Sequence, residues 1–466
     1  MNLAIKCSIA LFAAGSAYGQ QPPDVVQSDD VANTAMGTAA LQNVTPNSCQ
    51  YCGIENTAAG AYAMQSNTSG GGNVAMGFLA MQYNLVGHNN TAVGDSALQD
   101  NTTGYYNTAF GSGALLRSTT AWNNTGIGLD ALIYNTTGGN NTALGANALF
   151  SNTTAGENTA TGYNALYFNT TGYANTAAGA NVLYSNTTGY QNTVTGFQAL
   201  YFNTVGNHNT VSGFEALYSN TNGSSNTADG NNALYSNTTG YHNTASGSNA
   251  LFSNTTGVTN VAVGLEALYS NTTGSNNIAV GTNAGYNLTY GNNNIDIGNE
   301  GAATESGTIR IGTSSAQTAA YIAGIASARV TGSAVYVTAS GQLGVLASSE
   351  RYKFDISSLD PRSEKLKQLR PVSFHLKSDP HGAIQYGLIA EEVDKVYPEL
   401  VIRDDAGKVQ GVRYDELAPL LLNEAQRQQR INESQATEIR ELKRLVVAMQ
   451  ANLDKLQIGT ELVARR

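Results

Sequence analysis

Positive charge is nearly missing from the first three quarters of this chain. Up to Ala347 there are 4 Lys and Arg against 14 Asp and Glu, and the rest carries 19 of each sign, so the whole net charge of -10 belongs to the first part. That balance offers no basic footprint for nucleic acid, and none is expected as a partner. No stretch beyond the N-terminus supplies the roughly 20 apolar residues of a membrane-spanning helix. Of the three cysteines, Cys49 and Cys52 alone cannot complete a four-ligand zinc site. Acids such as Glu215 and Asp229 are scattered rather than spaced as a calcium loop, so neither metal nor cofactor is expected. Nor does a pair of carboxylates stand out for glycoside cleavage.

At the N-terminus, Lys6 precedes an apolar run from Cys7 to Ala17 that closes on Ala17-Tyr18-Gly19, a small-x-small pattern. Residues 1–19 read as a secretory signal and 20–32 as a polar linker, so the protein is expected to be exported, secreted or held at the cell surface. With Cys7 removed, Cys49 and Cys52 are candidates for a disulfide stapling a loop, a reading favoured over redox catalysis.

From residue 33 the chain repeats. Glycine recurs every 17 residues from Gly60 to Gly298, fifteen units, with Asn four residues before each; an earlier copy, Asn33 to Gly37, lies 23 residues upstream, so six extra residues fall in the segment of the cysteines. Asn-Thr-Ala-x-Gly suits a short strand ending at a glycine, and Ser-Asn-Thr-Thr-Gly is turn chemistry whose side-chain oxygens cap local backbone. Ala-Leu-Tyr between them is left open as a second strand or one helical turn. A 17-residue unit cannot enclose a core, so the units must stack, turning each repeated residue into a ladder. Asn would pair with Asn, and small residues such as Ala177, Val194 and Val211 would fill a narrow interior. At about 4.8 Å per strand, fifteen coils give a shaft of about 70 Å.

Two positions drift along the repeats. The residue before the repeated Gly is apolar early (Met76, Phe110, Leu144), mostly polar in the middle and apolar again at Val263, Val280 and Ile297, read as a buried face that fades. Aromatics occupy another site from Phe150 to Tyr286; stacked rings in a repeat are read as core, with sugar binding at an exposed ladder as the alternative. Residues 33–300 resemble the heads of trimeric autotransporter adhesins, whose repeats also centre on Asn-x-Ala-x-Gly; the resemblance implies a β-roll of three chains. The adhesins' repeat is usually shorter and their membrane-barrel anchor is missing here.

Residues 301–347 read as a β connector. The seam that follows, Ser348-Ser349-Glu350-Arg351-Tyr352-Lys353, heads five ordered blocks, continuing with Leu369 to Phe374, Gly387 to Val393, Tyr397 to Val401 and Tyr414 to Leu417. These blocks resemble the intramolecular chaperone domain of phage tailspikes, endosialidases and the myelin regulatory factor. The resemblance implies that residues 348–415 trimerise a fibre and then cut the Ala347-Ser348 bond, with Ser348 as nucleophile and Lys353 as base. Arg351 is a nearby charge that would help to deprotonate the lysine. Many members have Asp where this chain has Ser349. Residues 416–466 read as a coiled-coil helix, with Ile439, Leu442, Val446, Met449, Leu453 and Leu456 at alternating steps of three and four.

The expected fold is therefore mainly β: an elongated repeat β-solenoid or β-roll shaft, then an α+β chaperone domain ending in a coiled-coil helix, as a homotrimer. The expected function is an exported adhesin-like or tail-fibre protein whose partner is itself, with a surface glycan or other host-surface ligand unidentified. The only enzymatic activity expected is a single self-cleavage as an autocatalytic serine endopeptidase. The alternative is a self-processing protein whose released C-terminal fragment is the active product, with the repeats as tether.

Overall fold

A computed structural model describes residues 27–28, 30–45, 53–313, 316–322, 334–338, 341–359, 361–404 and 406–464, with side chains placed as far as 456. The signal segment, most of the linker and the Cys49/Cys52 pair lie outside the described residues. The chain forms two compact units, Met1–Ala320 and Tyr321–Arg466.

In the first unit an 18-stranded sheet contains seventeen three-residue strands in parallel, from Thr34–Met36 to Ile309–Ile311, with Gln27–Ser28 antiparallel at the edge. Pairing follows the repeat without slippage: Thr176 opposes Thr193, Ala177 opposes Val194 and Ala178 opposes Thr195. The middle residue of each strand points inward, and the interior it meets has room only for small side chains beside a column of leucines.

The Ala-Leu-Tyr segment is neither a second strand nor a helical turn. It runs as consecutive tight turns in which two residues per coil are left-handed, for example Asn181 at φ 52° and Leu183 at φ 49°. Asn enters that region readily, whereas Leu does so at a cost of about 1–2 kcal/mol. Complete burial of Leu183 offsets this, at about 1.5–3 kcal/mol, and its N–H donates to the Ala199 carbonyl at 3.1 Å.

Two ladders of buried asparagines run along the coils. In the first, Asn158 Oδ1 accepts the backbone N–H and the Nδ2–H of Asn175 at 3.0 and 3.2 Å, and Asn175 Nδ2 also donates to the Gly189 carbonyl at 2.9 Å. The second passes through the Asn-Thr-Thr-Gly turns, where the amide nitrogen rather than the oxygen caps the backbone. Asn186 Nδ2 donates to the Gly189 carbonyl at 2.9 Å and to Asn169 Oδ1 at 2.8 Å. A buried amide is tolerated only when its groups are paired, which is why these positions repeat so strictly. The second ladder breaks at Ser118, where Ser118 Oγ and Asn101 Oδ1 are buried without partners. Ser118→Asn is expected to reconnect it and to gain about 1–2 kcal/mol, read as slower amide exchange around residues 98–135. Faster exchange there would show that the gap cannot hold the longer side chain.

Both drifting positions lie outside the core. Met76, Phe110, Leu144 and Val263 point outward and are 48, 56, 46 and 40% exposed, so the face expected to be buried is open in the single chain. From Phe150 to Tyr286 nine rings stack with centroids 4.7 to 5.4 Å apart. They are half-buried on the surface rather than in the core, because Ala and Leu already fill the inside.

The ladder also runs past residue 300: Ile309–Ile311, read as connector, pairs in parallel with Ile295–Ile297 after a step of 14 residues. Here the inward residues change to Asp296 and Arg310. Asp296 is 1% exposed with both carboxylate oxygens unpartnered, while Arg310 donates to Glu305 through three bonds of 3.0, 2.9 and 2.7 Å. Burial, then the Glu305 charge, push Asp296 up to about 6, with Arg310 opposing. An acid raised in the fold favours the protonated folded state, so stability is fullest below about pH 4 and is lost as pH rises to about 6. Asp296→Ala, which restores the usual residue, should raise protection of residues 295–311 by about 2 kcal/mol at neutral pH and by little near pH 4. Equal effects at both would mean that Asp296 does not titrate in this window.

Among its described residues the second unit has three two-stranded antiparallel pairs, Tyr336–Val337 with Leu343–Gly344, Val372–Phe374 with Gln385–Gly387, and Val401–Arg403 with Val409–Val412. Helix α1 spans Ala390–Val396 and helix α2 spans Tyr414–Ala464. Val393, Tyr397, Leu400, Val401, Val412, Leu417 and Leu420 form its core. Only the first turns of α2 enter that core, and the apolar series from Ile439 to Leu456 is more than half exposed.

Candidate self-processing site

Ser348 and Lys353 flank a single 3₁₀ turn, Glu350–Tyr352. In an extended chain their side chains would stand far apart. The turn is closed by Tyr352 N–H to Ser349 O and by Lys353 N–H to Glu350 O, both 3.0 Å, and it brings Lys353 Nζ to 3.3 Å from Ser348 Oγ. In this arrangement the amine donates to the hydroxyl; to act as a base, Lys353 must first give up a proton and then accept from Ser348. Arg351 does not point at the pair but lies over the Tyr352 ring, 4.8 Å from its centroid. Every residue from 341 to 358 is exposed in the single chain, so the Ala347-Ser348 bond and both side chains stand in solvent ahead of the unit's core.

Behind this arm the sequence blocks hold one another. Arg370 reaches Glu392 at 2.6 Å, tying the Leu369-to-Phe374 block to the Gly387-to-Val393 block. That hydrogen bond holds the Glu392 carboxyl below its ordinary value. Tyr414 Oη accepts the Leu388 N–H at 2.8 Å, and a Cβ at Gly387 would come within 2.6 Å of the same hydroxyl, so Gly387 makes room for Tyr414. The Tyr397 hydroxyl donates to the Arg362 carbonyl at 2.7 Å, and burial raises its pKa. Asn423 Nδ2 donates to the buried Ser363 Oγ at 2.7 Å, fastening α2 to the turn before the Leu369-to-Phe374 block. Leu369, Val372, Leu388, Tyr414, Leu417 and Leu421 are among the residues lining an apolar groove of about 610 Å³.

Residues 348–402 match the chaperone of endosialidase. The match begins at the seam serine itself. A chaperone-of-endosialidase segment behind a β-solenoid shaft fits a tail-fibre-like protein with an intramolecular chaperone, and that family suggests self-association. No curated protein matches the chain. Sequence reasoning located the Ser348/Lys353 spacing in the chaperone segment but missed its internal fastenings. Arg370 with Glu392 and Gly387 with Tyr414 are complementary residue types, but the 22 and 27 residues between them hide the pairing.

Proposed function

We propose that the chain is an exported trimeric fibre whose C-terminal unit assembles three copies and then cuts before Ser348. The observation that carries this reading is the 3.3 Å approach of Lys353 Nζ to Ser348 Oγ at the first residue of the matched segment. Ser348 Oγ attacks the Ala347 carbonyl carbon while Lys353 takes the hydroxyl proton. The Ala347-Ser348 C–N bond breaks, the proton passes to the departing amine, and an ester joins Ala347 to Ser348. Water then opens the ester, leaving an Ala347 carboxylate and the regenerated hydroxyl.

Lysine serves as a base where it is desolvated or set beside other positive charge. The solvent-facing arm supplies neither in one chain, so packing against neighbouring copies is assigned that task. Assembly would thereby gate the cut. The exposed seam of α2 and the outward apolar residues at both ends of the shaft give neighbouring copies surfaces to cover. Among the described residues no helix is long and apolar enough to cross a membrane.

Replacing Leu442 and Leu453 together by Lys should test assembly. Charge in the seam is expected to shift the chain to a single copy in sedimentation, with at least a hundredfold loss of association, about 2.7 kcal/mol. Unchanged sedimentation would remove α2 from the assembly.

A further inference from the structure

Along the shaft one more column of side chains stands outside the core, six residues before each repeated Gly. It reads His88, Tyr105, Trp122, Gly139, Gly156, Tyr173 and Tyr190 in successive coils. The rings on either side stack along the axis: His88 on Tyr105 at 5.2 Å, Tyr105 on Trp122 at 6.3 Å, and Tyr173 on Tyr190 at 5.0 Å. At Gly139 and Gly156 the column is empty for two consecutive coils. One face of Trp122 and one face of Tyr173 therefore border a notch about 14 Å long, three coil steps of about 4.8 Å. Its volume is about 460 Å³, and Thr137, Asn140 and Glu157 complete its walls.

The glycines keep it free of side chains, and the Trp122 indole lies over Gly139. A Cβ on Gly139 would fall 2.8 Å from Trp122 Cε2, and one on Gly156 would fall 2.7 Å from the Gly139 carbonyl oxygen. Their own N–H groups have no protein partner among the described residues. The long ring ladder from Phe150 to Tyr286 differs in kind: its faces are spent on one another, so its length offers only edges to a ligand. The notch combines a Tyr173 face that no ring covers and the Trp122 indole lying against Gly139 with open backbone donors and a carboxylate.

We propose that this notch binds a neutral saccharide, a pyranose ring stacking its C–H face on Trp122 or Tyr173 while its hydroxyls meet Glu157, Asn140 and the Gly139 and Gly156 amides. The electron-rich ring face attracts polarised C–H groups, and a small-ligand site needs about 300–1,000 Å³ with a few placed polar groups. Glu157 accepts from hydroxyls and repels anionic sugars. The proposal goes beyond the assembly reading and stands without it.

Trp122 is the single tryptophan of the chain, so its emission reports on this site alone. The full chain is titrated with maltose, cellobiose, lactose, melibiose and chitobiose while tryptophan emission is followed. A saturable change with at least one of them is expected. Gly156→Tyr, which restores the side chain that other coils carry, should abolish the change, and Tyr173→Ala and Glu157→Gln should each weaken it about tenfold, about 1.4 kcal/mol. Should Gly156→Tyr fail to fold, the two outward-facing variants carry the test. No response to any of the five sugars, or an equal response in the variants, would overturn the proposal, whatever sedimentation says of assembly.

Discussion

Gly179→Ala is expected to cost about 4 kcal/mol or more, as large as single substitutions become. Gly179 sits at φ +140°, a conformation that L side chains rarely adopt, and a Cβ there would lie 2.8 Å from the Gly196 carbonyl carbon of the next coil. Both sides of the clash are backbone, and the Asn ladder beside it fixes the coil spacing, so neither can retreat. Because each coil touches mainly its neighbours, the damage should be local. Amide exchange should accelerate in the coils around residues 162–196 and stay slow near residues 74–110. Thr159→Ala, at an exposed strand position, should change stability by less than about 0.5 kcal/mol. Undisturbed exchange in Gly179→Ala would refute the close approach of successive glycines.

The second large effect concerns the cut. Ser348→Ala should abolish cleavage, since it removes the hydroxyl that Lys353 reaches and that forms the ester with Ala347. Lys353→Ala should slow it at least a hundredfold, the lower range of general-base contributions of about 10²–10⁴. Lys353→Arg separates the possible roles: it keeps a positive charge near Ser348 but cannot serve as a base, so it should be as slow as Lys353→Ala. Intact mass over time reads all three, and near-parental cleavage in Lys353→Arg would assign the lysine a charge role instead. All three variants should assemble as the parent does, because neither side chain enters the core of the second unit.

The repeat made most of the shaft legible. A strict 17-residue step dictates in-register stacking, and stacking dictates an Asn ladder and a small inward residue, as Asn175 and Ala177 show. Side-chain direction outside the core was less legible. Nothing in the spelling of Met76 or Tyr184 says that the Ala and Leu columns already fill the interior, leaving both on the surface. The left-handed Leu183 was hidden because leucine has no preference for that region; its burial imposes it. Asp296 reads as an ordinary acid until its column is known to be the buried one. In the second unit the Ser348/Lys353 spacing was visible, while the solvent around it depends on tertiary packing that no local pattern encodes.

Native mass of the purified parent chain beside Ser348→Ala tests the central claim most directly. Three copies ending at Ala347 in the parent, and three uncut copies in Ser348→Ala, are the predicted result. A single copy in both, or an uncut trimer in the parent, would contradict assembly in the first case and self-cleavage in the second.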